Sequence, residues 1–153
     1  MAVDLDRRPP QNPDPQGALR IAMVAPPWFE LPPRAYGGIE SVVSDLVNQL
    51  TLLGHEVTLI GSGRNRTAAH RFVRVFQTPP TESLGDPLPE VVNAAAAAAA
   101  LADLDVDVVH DHTIAGPLLA RGRSAPTVVT AHGAVTGFHA GVEPGHSPVR
   151  GDN

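Results

Sequence analysis

The chain alternates between short apolar runs and a longer periodic segment in the order expected of a parallel sheet covered by helices. Leu19 to Ala25, apolar except for Arg20, is stopped by Pro26 and Pro27, which suits a central strand buried on both faces. Beyond a proline-rich stretch read as a long mobile loop, Ile39, Val42, Val43, Leu46, Val47, Leu50 and Leu53 fall at helical spacing. Gly54 stands where a left-handed C-terminal cap is wanted. His55 to Gly61 reads as a second strand, the polar stretch from Gly61 to Ala69 as a turn, and Arg71 to Phe76 as a short third strand.

Gln77 to Pro89 holds four prolines and is expected to be loop. From Pro89 to Asp103 a run of seven alanines has the highest intrinsic helix propensity available and sits where a crossover helix is required. Val106 to His110 follows as strand four, Ile114 to Arg121 as a short helix, and Thr127 to Thr130, β-branched throughout, as strand five. Right-handed crossovers then favour a doubly wound parallel α/β sheet ordered 3-2-1-4-5. After Gly133 no apolar run is long enough for another buried strand. The expected organisation is a disordered leader over residues 1–18, one incomplete α/β domain over 19–133, and a disordered tail over 134–153.

Composition narrows the functions this architecture could serve. The 153 residues amount to one domain, and 42% hydrophobic content is enough to bury a core. All 11 basic residues are arginine, so no lysine is present for Schiff-base chemistry. No cysteine is present for a thiol nucleophile, disulfide or thiolate metal site, which fits a cytoplasmic location. A net charge of -5 with scattered arginines argues against a nucleic-acid partner. The N-terminus has aspartates and prolines where a secretory signal needs an apolar core. The longest apolar run, Ala94 to Ala102, falls far short of the ~20 residues that cross a bilayer, so any membrane contact would be peripheral.

Two groups of residues carry candidate chemistry. Tyr36, Gly37, Gly38, Ile39 and Glu40 open the first helix, where glycines let a ligand approach the backbone and the helix start offers roughly half a positive charge to an anion. The same residues also suit an ordinary loop-to-helix turn. Neither the GxGxxG spacing of dinucleotide folds nor the GK[ST] of a P-loop is present, so neither NAD nor ATP is indicated. His110, Asp111 and His112 end strand four, and His132 with Gly133 ends strand five, so three histidines gather on the same carboxyl-terminal rim as the glycine pair. Such histidines serve as structural hydrogen-bonding groups, as substrate contacts, or as a tri-histidine zinc site for metal-dependent hydrolysis.

The segments RIAMVAPPWFELPPRAYGGIE, LTLLGHEVTLIGSG, DVDVVHDH and TVVTAHG, in that order over about Arg20 to Gly133, resemble the N-terminal domain of family 4 glycosyltransferases. The resemblance implies a Rossmann-like half of a GT-B architecture, in which two such domains face each other across a cleft. It implies transfer of a hexose from a nucleotide-sugar donor to an acceptor with retention of anomeric configuration. By the same resemblance Gly37 and Gly38 would approach the donor's diphosphate, and His132 would contact the transferring sugar and help stabilise the developing positive charge. Tyr36, His110 and Asp111 would face the acceptor. No cofactor and no metal are implied, because helix N-termini and positive side chains neutralise the leaving diphosphate. The segments expected of the nucleotide-binding half are absent from these 153 residues. The polypeptide by itself is therefore expected either to be inactive in transfer or to act as a non-catalytic sugar- or phosphate-binding module.

Overall fold

A computed structural model describes residues 17–133. The expected leader over 1–18, except Gly17 and Ala18, and the expected tail over 134–153 lie outside the described residues. Five parallel strands form one sheet in the order β3-β2-β1-β4-β5, as the crossover rule predicts. They are β1 (Arg20–Val24), β2 (Glu56–Gly61), β3 (Arg71–Arg74), β4 (Val108–Asp111) and β5 (Thr127–Val129). Helix α1 (Gly38–Leu52) connects β1 to β2, and α2 (Pro87–Ala102) connects β3 to β4.

The two helices lie on opposite faces because alternate side chains of the strands point opposite ways. Met23, Ala25, Val57 and Leu59 pack with Val43 and Val47 of α1, whereas Ala22, Val24, Ile60 and Val109 pack with Ala97 and Leu101 of α2. β1 is the pivot of both layers, pairing Met23 with Leu59 on one side and with His110 on the other. Its last four residues are buried, which explains a nearly continuous apolar run instead of an alternating one. At the amino-terminal edge Arg20 braces the sheet from below: its guanidinium reaches Asp105 and Asp107, and the Asp107 carboxyl is held below its usual range by those hydrogen bonds.

Helix α1 ends as its sequence predicts. Gly54 takes φ 89°, its N–H donates to Thr51 O at 3.0 Å, and His55 N–H donates to Leu50 O at 3.1 Å, which together satisfy two of the last carbonyls. The buried stripe of α1 is narrower than its apolar pattern, since Val42 and Leu53 are exposed while Glu40 and Ser44 are buried. Two further expectations are corrected. Helix α2 starts at Pro87 instead of Pro89, because Asp86 caps it, accepting from Leu88 N–H at 3.0 Å, and proline is tolerated in a first turn. Ile114 to Arg121 forms only a 3₁₀ turn over Gly116–Leu119, since Gly116 and Pro117 are poor helix interiors.

Candidate functional site

The carboxyl ends of β1, β4 and β5 are adjacent, so the loops leaving them form one rim. The loop after β1 was expected to be mobile, yet it is strapped to the sheet. Leu31 is fully buried, its N–H donates to Arg64 O at 3.0 Å, and its carbonyl accepts from Arg66 N–H at 2.7 Å. Gly61 makes the room: a Cβ there would lie 2.6 Å from Leu31 Cδ1. Glu30 ties the outer part of the loop to Arg34 at 2.6 Å and Arg66 at 3.2 Å. Partial burial works to raise the Glu30 carboxyl, but hydrogen bonds from Arg66 and Arg34 outweigh it and hold the group below its ordinary value.

The structure gives the two glycines different tasks. Gly37 is buried with φ 138°, and a Cβ would sit 2.8 Å from Pro33 Cβ, so this position is closed by packing and open only to glycine. Gly38, the first residue of α1, is exposed with nothing within 4 Å of where a Cβ would be. It is the member of the pair that a ligand can reach. Tyr36 beside them is 74% exposed and packs edge-to-face on Phe29, with ring centroids 5.7 Å apart.

Beneath this side of the rim lie polar groups that the core rarely admits. Glu40, in the first turn of α1, is 2% exposed. Burial pushes its carboxyl up to about 7 against the backbone amides of Glu40 and Phe29, with Glu90 adding repulsion. Glu90, in the first turn of α2, accepts from Trp28 Nε1–H at 3.0 Å and has the amides of Ile114 and Ala115 nearby, while its Oε2 is buried without a hydrogen-bond partner among the described residues. Burial raises Glu90 as well, partly offset by these donors. This carboxylate thus ties the start of α2 to the loop after β1. Asn93, one turn further along α2, donates to Ala25 O at 3.1 Å. Glu90 and Asn93 were not anticipated from the sequence, although both open the buried stripe that continues through Ala94, Ala97 and Leu101.

The β4–β5 side is built from side chains that meet over long sequence separations. Asp111 is fully buried: one oxygen accepts from Thr113 N–H at 3.0 Å and Thr113 Oγ1–H at 2.7 Å, and the other meets the Arg123 guanidinium at 3.3 Å. Expected to face an acceptor, Asp111 instead lies under the rim with both oxygens engaged, and it organises the loop between β4 and β5. His110 is half-buried and shares a 2.8 Å hydrogen bond with Thr130 Oγ1. His112 is 4% exposed, its backbone N–H donates to Val24 O at 3.0 Å, and its ring lies between those of His110, tilted by 36°, and His132, inclined by 25°, at centroid distances of 4.1 and 5.1 Å. Its Nδ1 lies 2.8 Å from His132 Nε2. Burial, reinforced by His110 and His132, pulls His112 down to about 4, so the ring is neutral near pH 7. Burial also lowers His110, against Asp111, with His132 adding to the lowering.

The three imidazoles expected to gather at the rim are therefore in contact. They stack and bond to one another instead of converging on a common point, and among the described residues no group of three or more His, Asp or Glu is arranged to hold a metal ion. A separate cleft of about 340 Å³ lies beside the C-terminal half of α2, lined by Leu101, Val109, Leu119 and Ala125. It opens near the start of β5, away from the glycine pair and the histidines. Among the described residues no helix is long and apolar enough to cross a membrane.

Comparison with known proteins bears on what such a rim serves. Residues 36–151 match the family model described as Glycosyltransferase Family 4. A solved structure of AviGT4, a glycosyltransferase involved in avilamycin A biosynthesis, aligns with 26% sequence identity and a TM-score of 0.46. The alignment covers 72% of this chain and 31% of that one, so the chain spans about a third of that protein's length. No curated protein matches the chain.

Proposed function

The chain belongs to glycosyltransferase family 4, and on that premise we propose that its α/β domain is the N-terminal wall of a GT-B cleft in which a hexose passes from a nucleotide-sugar to an acceptor with retention. The observation that carries this reading is the shared rim: an open helix start at Gly38 next to the strand ends that bear His110 and His132. Unpaired N–H groups at the first turn of α1 suit a diphosphate. His132, exposed after β5, suits contact with the transferring sugar, and the exposed Tyr36 with the half-buried His110 suits the acceptor. Asp111 serves that site from below by holding the loop through Thr113 and Arg123. The chemistry breaks the bond from C1 of the sugar to the diphosphate oxygen and forms the bond from C1 to an acceptor hydroxyl oxygen, whose proton passes to the leaving diphosphate. A preorganised electrostatic environment stabilises the leaving diphosphate and the positive charge at C1. We place this reaction in the cytoplasm, where nucleotide-sugars are supplied.

The 153-residue polypeptide assayed by itself transfers no sugar in this account, because the diphosphate must be gripped from both walls. Incubation with radiolabelled UDP-, GDP- and ADP-hexoses and mixed acceptors checks this: labelled product from the chain alone contradicts it. Calorimetry with the same donors separates the reading from that of a free-standing binding module, which would show tight saturable binding without transfer.

A further inference from the structure

We propose that His112 is a positioning residue for His132, fixing its ring orientation and placing its proton on Nδ1. The inference rests, for its bearing on sugar transfer, on the function proposed above; its geometry stands apart from it. His112 is held on every side, by its backbone bond to Val24 O at 3.0 Å, by the His110 ring at 4.1 Å, and by burial to 4% exposure. The exposed His132 ring is held edge to edge by that fixed partner, the two rings inclined by only 25° with centroids 5.1 Å apart, through the 2.8 Å contact between His112 Nδ1 and His132 Nε2.

The direction of that hydrogen bond follows from what His112 leaves unpaired. Its Nε2 is buried with no hydrogen-bond partner among the described residues. A neutral imidazole carries one proton, on Nδ1 or on Nε2. A proton on Nε2 would bury an orphaned N–H, which folded proteins tolerate less readily than an unsatisfied acceptor. The proton therefore sits on Nδ1 and is donated to His132 Nε2. With its Nε2 lone pair occupied, His132 in its neutral form carries its own proton on Nδ1, and that N–H is the donor presented at the rim. That N–H can donate to a sugar hydroxyl. His110, bonded to Thr130 Oγ1 at 2.8 Å, closes the stack on the other side of His112.

Long-range ¹H–¹⁵N spectra of the ¹⁵N-labelled full chain at neutral pH read the tautomer of each histidine. The expected result is Nδ1–H on both His112 and His132. A Nε2–H signature on either ring overturns the inference without any variant being made. His112→Phe keeps a stacking ring but removes the donor, and His112→Asn keeps an N–H near the Nδ1 position. Loss of the single His132 tautomer in His112→Phe and its return in His112→Asn supports the positioning role, whereas an unchanged His132 in His112→Phe contradicts it. Adding UDP-, GDP- and ADP-hexoses in turn to the wild-type chain separates the two levels: if the His132 ring signals move with none of them, the sugar-transfer reading fails while the tautomer result stands.

Discussion

The two sides of the rim reach order by different means. On the β1 side the backbone is set by close packing on glycines and by backbone hydrogen bonds, with Gly37 pressed on Pro33 and Leu31 seated over Gly61 and bonded to Arg64 and Arg66. On the β4–β5 side order comes from pairs of side chains: Asp111 with Arg123, His110 with Thr130, and His112 with His132, separated by 12, 20 and 20 residues. The first presents backbone amides suited to an anion, and the second presents imidazoles suited to a neutral, hydroxyl-rich ligand. The difference teaches that a ligand spanning both sides would be read partly by backbone and partly by side chain. Substitutions should therefore fail differently on the two sides.

The largest effect is expected at Asp111→Ala. It leaves the Arg123 guanidinium, whose side chain is 7% exposed, without its carboxylate, and breaking one partner of a buried pair costs about 3–5 kcal/mol. Denaturant unfolding should show that loss together with collapse of the loop after β4. On the β1 side Gly37→Ala imposes a backbone conformation that only glycine adopts and a 2.8 Å clash with Pro33; a cost of about 2–3 kcal/mol is expected. If the two sides are built as described, the histidine tautomers stay unchanged in Gly37→Ala and are disturbed in Asp111→Ala.

A smaller effect comes from pH. The Glu40 carboxyl lies at about 7 in the folded chain against 4.5 for the free group. Below 4.5 both folded and unfolded chains are protonated there and nothing is lost. Between 4.5 and about 7 the unfolded chain releases the proton first, so stability falls as pH rises, and above about 7 the loss is complete. Against Glu40→Gln, the wild type should lose on the order of 1–2 kcal/mol across that window, and a gap that stays constant with pH would contradict the burial of this group. The smallest effect on stability is expected at Gly38→Ala, which meets nothing within 4 Å and should change unfolding by no more than about 0.5 kcal/mol. The same substitution puts a methyl group at the open helix start, so weakened donor binding without destabilisation would sharpen the contrast with Gly37.

Much of the fold was legible in the sequence because its signals are local. The apolar runs of β1 and β2, the 3.6-residue period of α1 and the turn glycine at 54 each state a structure within a few residues, and the handedness of crossovers orders the strands. The rim was legible in outline, since strand ends face ligands in such sheets. Its internal contacts were not. The engagement of Asp111 depends on Arg123 from the following loop, and the His112–His132 contact depends on the parallel pairing of β4 with β5, in which His110 opposes Val128. Glu90 was hidden by the alanine run beside it, where helix propensity drew attention away from a polar residue on a buried stripe. The 3₁₀ turn after β4 was mistaken for a helix because Leu118 and Leu119 suggest an apolar face, yet Leu118 is 80% exposed.

The central claim is that both sides of this rim meet one nucleotide-sugar. Titrating the ¹⁵N-labelled 153-residue chain with millimolar UDP-, GDP- and ADP-hexoses tests it directly. The account predicts saturable shifts, for at least one donor, at the amide of Gly38 together with the His132 ring. Shifts confined to the cleft beside α2 at Leu101, Leu119 and Ala125, or no shifts with any donor, would contradict it.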